Sequence, residues 1–215
     1  MTAMQPNSSI LTPAEYHRMV GIISSVIAAS GSEPSRGCIS FAVAGAWILR
    51  QVHGKNAYPV AGAAFYRVDD STGFTMAYGH YLQGKVISNE AAFHSWIVCE
   101  GQVIDLAAPL IPDNLALSGR PEVVPRRMLQ RAHAEMSASP EYLMQEGDFF
   151  LEPNLPLSEK LFSIFLNDPT YLTLAEVCAD WYEMSCHSDA PTFEIAGKEG
   201  PRELRRHDLD IQGAW

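Results

Sequence analysis

The chain has 215 residues, long enough for one domain that buries a core without disulfide staples. With 15 basic and 25 acidic residues its net charge is −10, which argues against a surface that neutralises phosphates and so against nucleic acid as a partner. The longest apolar run, Met19 to Ala29, is interrupted by Ser24-Ser25 and falls short of the roughly 20 residues a spanning helix needs, so no membrane partner is expected.

Residues 1–10 are polar and read as a loose segment. A capping box follows: Thr12 as N-cap, Pro13 in the first turn and Glu15 three residues on. Behind it Tyr16, Met19, Val20, Ile23 and Ile27 recur at helical spacing, and Ser30-Gly31 ends the helix. Gly31 to Gly37 reads as a loop. A second helix is predicted from Cys38 to about Val52, where Ala42, Ala44, Gly45 and Ala46 fit close packing on several sides. Val60 to Val68, Gly73 to Tyr78 and Lys85 to Ser88 read as short strands. Phe93 to Cys99 and Gln102 to Leu106 form the strongest pair, joined at Glu100-Gly101. The proline-rich stretch Ala107 to Pro125 reads as a long surface connection. Helices are predicted at Arg126 to Met136, Ser158 to Leu166 and Leu174 to Met184, the last with Thr173 and Glu176 as a second capping box. Strands grouped between helices predict an α+β fold rather than alternating βαβ units. The expectation is a single domain, 1–215, with a core of about 12–110, a helical part of about 111–187 and a polar tail from Ser188.

Cys38 is the first candidate for chemistry. It opens a helix immediately after Gly37, where unpaired backbone N–H groups and the helix dipole favour a thiolate, the reactive form of the side chain. The other cysteines, Cys99, Cys178 and Cys186, read as packing residues. None has the paired short spacing of a zinc site, so no metal and no cofactor is expected. The first ten residues carry no Lys or Arg, and Pro13 and Glu15 sit just ahead of the apolar run, a poor match to an export signal, so a cytoplasmic location with reduced thiols is expected.

The second constellation is the hairpin FHSWIVC-EG-QVIDLAAP. If Glu100 and Gly101 are its two-residue turn, Cys99 faces Gln102, and the period of 2 puts His94, Trp96, Asp105 and Ala107 on one face. His94 and Asp105 are then diagonal neighbours about 7 Å apart at the backbone, within side-chain reach. A carboxylate that orients a histidine and stabilises its imidazolium is the arrangement a nucleophile needs in its base. The bland alternative is a surface His and an edge Asp with no shared role. Trp96-Ile97-Val98 marks the strand as buried, and a carboxylate beside it needs a hydrogen-bonding reason.

Nucleophile, base and orienter thus occur in the order Cys38, His94, Asp105. On these residues, in SRGCISFAVAGAW, FHSWIV and QVIDLAAP, the chain resembles the papain-like cysteine proteinase superfamily, closest to its transglutaminase-like and arylamine N-acetyltransferase-like branches. It is similar, too, to a bacterial family of this fold with no known substrate. The resemblance covers about Gly31 to Pro109. It implies N-terminal helices, one carrying the cysteine, packed on a central antiparallel sheet, with extra C-terminal helices. Two departures stand out: Ala28 to Gly37 holds no Gln or Asn to serve as oxyanion donor, and Arg36-Gly37-Cys38 only approximates the acetyltransferase pattern. The Cys38 N–H, helped by Ser32 or Ser35, is the expected substitute.

The resemblance implies a cysteine hydrolase of a peptide, isopeptide or amide bond, working through a thioester. The partner is then a peptide or a small acyl or amide substrate. An acyltransferase with the same triad and a binding module that keeps the fold are the alternatives.

Overall fold

Helix formation starts where the capping residues stand. In the computed structural model, which describes residues 9–188, 191–197 and 200–215, the Thr12 hydroxyl accepts from the Glu15 N–H at 3.3 Å. The Glu15 carboxylate accepts from the Thr12 N–H at 2.7 Å in return, closing the capping box of α1 (Pro13–Ala29). The loose segment expected at residues 1–10 lies, up to residue 8, outside the described residues. A 3₁₀ turn over Pro34–Arg36 leads into α2 (Cys38–Gln51), which starts at Gly37 without a side-chain cap. The small residues of α2 serve close packing. A Cβ on Gly45 would lie 2.4 Å from Leu106 Cδ1 and 2.7 Å from Ile97 Cδ1, so glycine lets the helix sit down on the sheet.

The strands follow as β1 (Ala57–Asp69), β2 (Phe74–Tyr78), β3 (His80–Leu82), β4 (Lys85–Ile87), β5 (His94–Cys99) and β6 (Gln102–Asp105). After α3 (Ile111–Leu117) come β7 (Leu129–Ala132) and β8 (Phe149–Pro153). Six strands make one curled antiparallel sheet in the order β2-β1-β5-β6-β7, with β8 also paired to β1, while β3 and β4 form a separate ribbon. The turn between β5 and β6 is tight because Glu100 and Gly101 both take positive φ, 48° and 81°, as a two-residue turn of this hand requires. Cys99 pairs with Gln102 and Ile97 with Ile104, the register read from the sequence.

The rest of the chain is α4 (Leu155–Asn167), α5 (Pro169–Ser188) and a hairpin of β9 (Thr192–Gly197) and β10 (Gly200–Arg205). α1, α2 and α5 cover one face of the sheet, burying Ile97, Cys99 and Ile104 against Phe41, Ile48 and Trp181. On the other face Trp96 and Val103 pack with Ile111 and Leu115 of α3 and Phe149 and Leu151 of β8. The fold is therefore α+β. Among the described residues no helix is long and apolar enough to cross a membrane.

Several expectations for the second half need correction. Ala107 to Pro125 is a surface connection only in part: Ala108, Ile111 and Leu115 are buried and close the sheet's second face, Leu110 packs on the first, and Leu117 and Val123 are exposed. Arg126 to Met136 holds strand β7, which extends the sheet at β6 (Val103 opposite Arg131); helix-favouring residues yield there to an open sheet edge. Thr173 does not cap a helix. It lies inside α5, its hydroxyl donating to the Pro169 carbonyl four residues back at 2.9 Å. The polar tail carries a packed hairpin: the Ser25 hydroxyl accepts from the His207 N–H at 2.8 Å, and Leu204 and Ile211 are buried.

Candidate active site

Three elements place the candidate groups. Cys38 is the first residue of α2, His94 the first of β5 and Asp105 the last of β6, so all three lie at one end of the packed helix and sheet. His94 Nε2 and Asp105 Oδ2 are 2.7 Å apart, and both residues are buried, 3% and 1% exposed. The Cys38 side chain lies near enough to the same imidazole to favour its charged form. With Nε2 held by Asp105, Nδ1 is the nitrogen left for sulfur. Cys38 itself is half-buried and lines a cavity of about 250 Å³ together with His94.

Asp105 has a second and a third donor. The Tyr66 hydroxyl donates to Oδ2 at 2.9 Å and the Ala107 N–H to Oδ1 at 2.9 Å. The Tyr16 hydroxyl donates to the Asp105 backbone carbonyl and accepts from the Leu129 N–H at 3.3 Å, tying α1 and β7 to the end of β6. Burial and the nearby Asp105 carboxylate push both phenols, Tyr16 and Tyr66, well above the ordinary tyrosine range, so they stay donors. Burial opposes a charge on His94. The Asp105 carboxylate, its hydrogen bond and the Cys38 sulfur outweigh that penalty and raise the imidazole to about 10. The ring is fixed on both sides, stacked on Tyr78 at 4.4 Å and met edge-on by Tyr66 at 5.9 Å. Tyr78 reaches it because Tyr78 and His94 pair with Ala64 and Gly62, two residues apart on β1.

Of the serines expected to assist the Cys38 N–H, Ser35 lines the cavity of Cys38 and His94, and Ser32 lines the second cavity at Cys38. The Ser35 hydroxyl donates to Glu33 Oε1 at 3.2 Å, and Ser32 sits beside Ser30 Oγ at 3.2 Å in a neighbouring cavity. α3 adds an amide to the cavity of Cys38 and His94: Asn114 lines it with them, and its Nδ2 donates to the Ser35 carbonyl at 3.0 Å. An amide nitrogen has two hydrogens, so one is left for a ligand. Asn114, Tyr16, Tyr66 and Tyr78 escape a reading by local spacing, because each reaches the site from a distant element. The one usable signal was Tyr66 inside the apolar strand VAGAAFYRV, since a buried phenol needs a partner.

The other cysteines divide. Cys99 and Cys178 are buried, and burial pushes both thiols up, whereas Cys186 is exposed with Arg18 Nη1 3.5 Å from its sulfur and is no packing residue. His53, just past the end of α2, places Nε2 3.0 Å from the Tyr182 hydroxyl of α5.

Fold and geometry define an α+β protein that gathers Cys, His and Asp at the end of an antiparallel sheet. The chain belongs to the family described as "Protein of unknown function (DUF2026)", whose model it matches over residues 12–215. It is similar, at 24% identity and a TM-score of 0.82, to a crystal structure described as that of a genomics target, with 99% of this chain and 100% of that one covered. That likeness concerns the fold. No curated protein matches the sequence.

Proposed function

We propose that the protein is a thiol hydrolase of amide bonds with a papain-like arrangement, in which Cys38 is the nucleophile, His94 the acid and base, and Asp105 the orienting carboxylate. The observation that carries this reading is the buried 2.7 Å contact of His94 with Asp105 beside a cysteine at a helix N-terminus, both Cys38 and His94 facing one cavity. A packing role explains neither the buried carboxylate nor a half-buried thiol on an imidazole. His94, charged well past neutral pH, is the counter-ion a thiolate needs.

In the reaction the Cys38 sulfur attacks the carbonyl carbon, and the C–N bond breaks as His94 gives its proton to the leaving amine. Water, deprotonated by His94, then opens the thioester to a carboxylic acid and returns the thiol. The developing oxyanion takes the Cys38 N–H, free in the first turn of α2, and the second amide hydrogen of Asn114. Each such donor is worth a factor of about 100 to 1,000 in rate.

The test is alkylation of all four cysteines by iodoacetamide, resolved by peptide, from pH 4 to 9. Cys38 is expected to react fastest at pH 5 to 6 and to lose that advantage in His94→Ala. A Cys38 that reacts only with the pH dependence of an ordinary thiol, near about 8.5, removes the thiolate–imidazolium pair and the enzyme with it.

A further inference from the structure

Two cavities meet at Cys38, sharing Arg36 and Phe93, and they divide the catalytic groups unequally. His94 lines the one of about 250 Å³ and is absent from the walls of the one of about 390 Å³. A leaving amine takes its proton from His94, so it lies in the smaller cavity and the acyl part lies in the larger.

The walls of the two sides differ in chemistry. The acyl side is built from Ile27, Ile39, Phe93, Phe165 and Tyr171, the last two rings stacked at 4.4 Å, and suits a bulky apolar residue. Glu33 stands on that side, held by the Ser35 N–H and hydroxyl, and disfavours an acidic residue there. The leaving side shares Arg36 and adds Ser35, Tyr78 and Asn114 to its walls, and, unlike the side that holds Glu33, has no carboxylate among the described residues. The Arg36 N–H donates to the Glu33 carbonyl at 3.1 Å, but its guanidinium has neither a hydrogen bond nor an ion pair with any described residue, although the chain carries a net charge of −10. A guanidinium in that position is matched by a carboxylate, which it can hold by two parallel hydrogen bonds. The leaving-side cavity is also smaller than the roughly 300–1,000 Å³ of drug-sized ligand sites, room for one amino acid rather than an extended chain.

The geometry points to an activity that rests on the hydrolase reading above: the site releases the C-terminal amino acid of a peptide, with its α-carboxylate on Arg36 and a large apolar residue on the acyl side. The Cys38 sulfur bonds the carbonyl carbon, the C–N bond breaks, and the amine leaves with the His94 proton as a free amino acid. Water, deprotonated by His94, then cleaves the thioester, giving the shortened peptide acid and restoring the Cys38 thiolate and the charged imidazole.

The experiment incubates the full chain with N-acetylated tripeptides whose middle residue is Phe and whose last residue is glycine, either as the free acid or as the carboxamide. Released glycine or glycinamide is quantified by mass spectrometry, and iodoacetamide alkylation is run on the same preparation. The free acid is expected to be cleaved at least about tenfold faster, the scale of one charge-assisted contact, with the preference lost in Arg36→Gln and partly kept in Arg36→Lys. Replacing Phe by Asp on the acyl side lowers the rate on the free acid. Equal rates on acid and carboxamide overturn the inference and leave the hydrolase standing. Failure to cleave either peptide, while Cys38 still alkylates at low pH in a His94-dependent way, also overturns the inference alone. Loss of that alkylation signature overturns the hydrolase reading and the inference together.

Discussion

The two ends of the site are built in opposite ways. At the Asp105 end every neighbour is buried and fixed: the carboxylate takes donors from His94, Tyr66 and Ala107, and the backbone beneath it is held by Tyr16. At the Cys38 end the thiol is half-buried, flanked by two open cavities, beside an Arg36 whose guanidinium pairs with no described residue. The difference teaches where stability and reactivity reside. The closed end fixes one geometry of the imidazole through packing and hydrogen bonds, and the open end leaves room for a ligand to reach sulfur. Mutations at the closed end should therefore chiefly lower stability, and mutations at the open end should change what the protein does.

The largest effect expected at the closed end is that of Asp105→Ala. It leaves three buried donors without an acceptor and removes the charge that holds His94 as an imidazolium, a loss of about 3 to 5 kcal/mol in urea unfolding. A loss below about 1 kcal/mol would show that the closed end is not built as described.

A pH series sharpens the contrast. His94 titrates near 10 in the fold against an ordinary value of 6.5, so its charge stabilises the protein fully below about 6.5, and that contribution fades as pH rises through about 10. The gap in urea midpoint between wild type and His94→Gln is expected to narrow steadily from pH 6.5 to 10. A constant gap would mean that His94 is neutral in the fold.

The smallest effect is that of Tyr66→Phe, which deletes one of three donors to Asp105 while keeping the ring that meets His94 edge-on. About 1 kcal/mol of stability is expected to go, and the low-pH alkylation of Cys38 to persist at a reduced rate. Complete loss of that alkylation would make Tyr66 part of the chemistry rather than of the closed end.

Much of the first half was legible because its signals are local. The capping box of α1, the small residues of α2 and the Glu100-Gly101 turn act over a few residues, and the turn then fixes the register that puts His94 and Asp105 on one face. The second half misled where tertiary contacts override propensity. Leu129 to Ala132 favours helix by composition but meets the open edge of β6, and Phe149 to Pro153 becomes a strand only because β1 has an edge to fill. Asn114 carries no local mark at all, since α3 delivers it to Ser35 from 79 residues away in sequence.

By itself, then, the sequence determined the helix that presents Cys38 and the hairpin that aligns His94 with Asp105, because backbone sterics and caps set both within a short span. Only the tertiary structure decided that α2 lands on the end of that hairpin. The same holds for Tyr16, Tyr66 and Tyr78, which close around the imidazole, and for Arg36, which is left to face a cavity. Those outcomes depend on burying both faces of one sheet at once, a condition the whole chain satisfies and no short segment records.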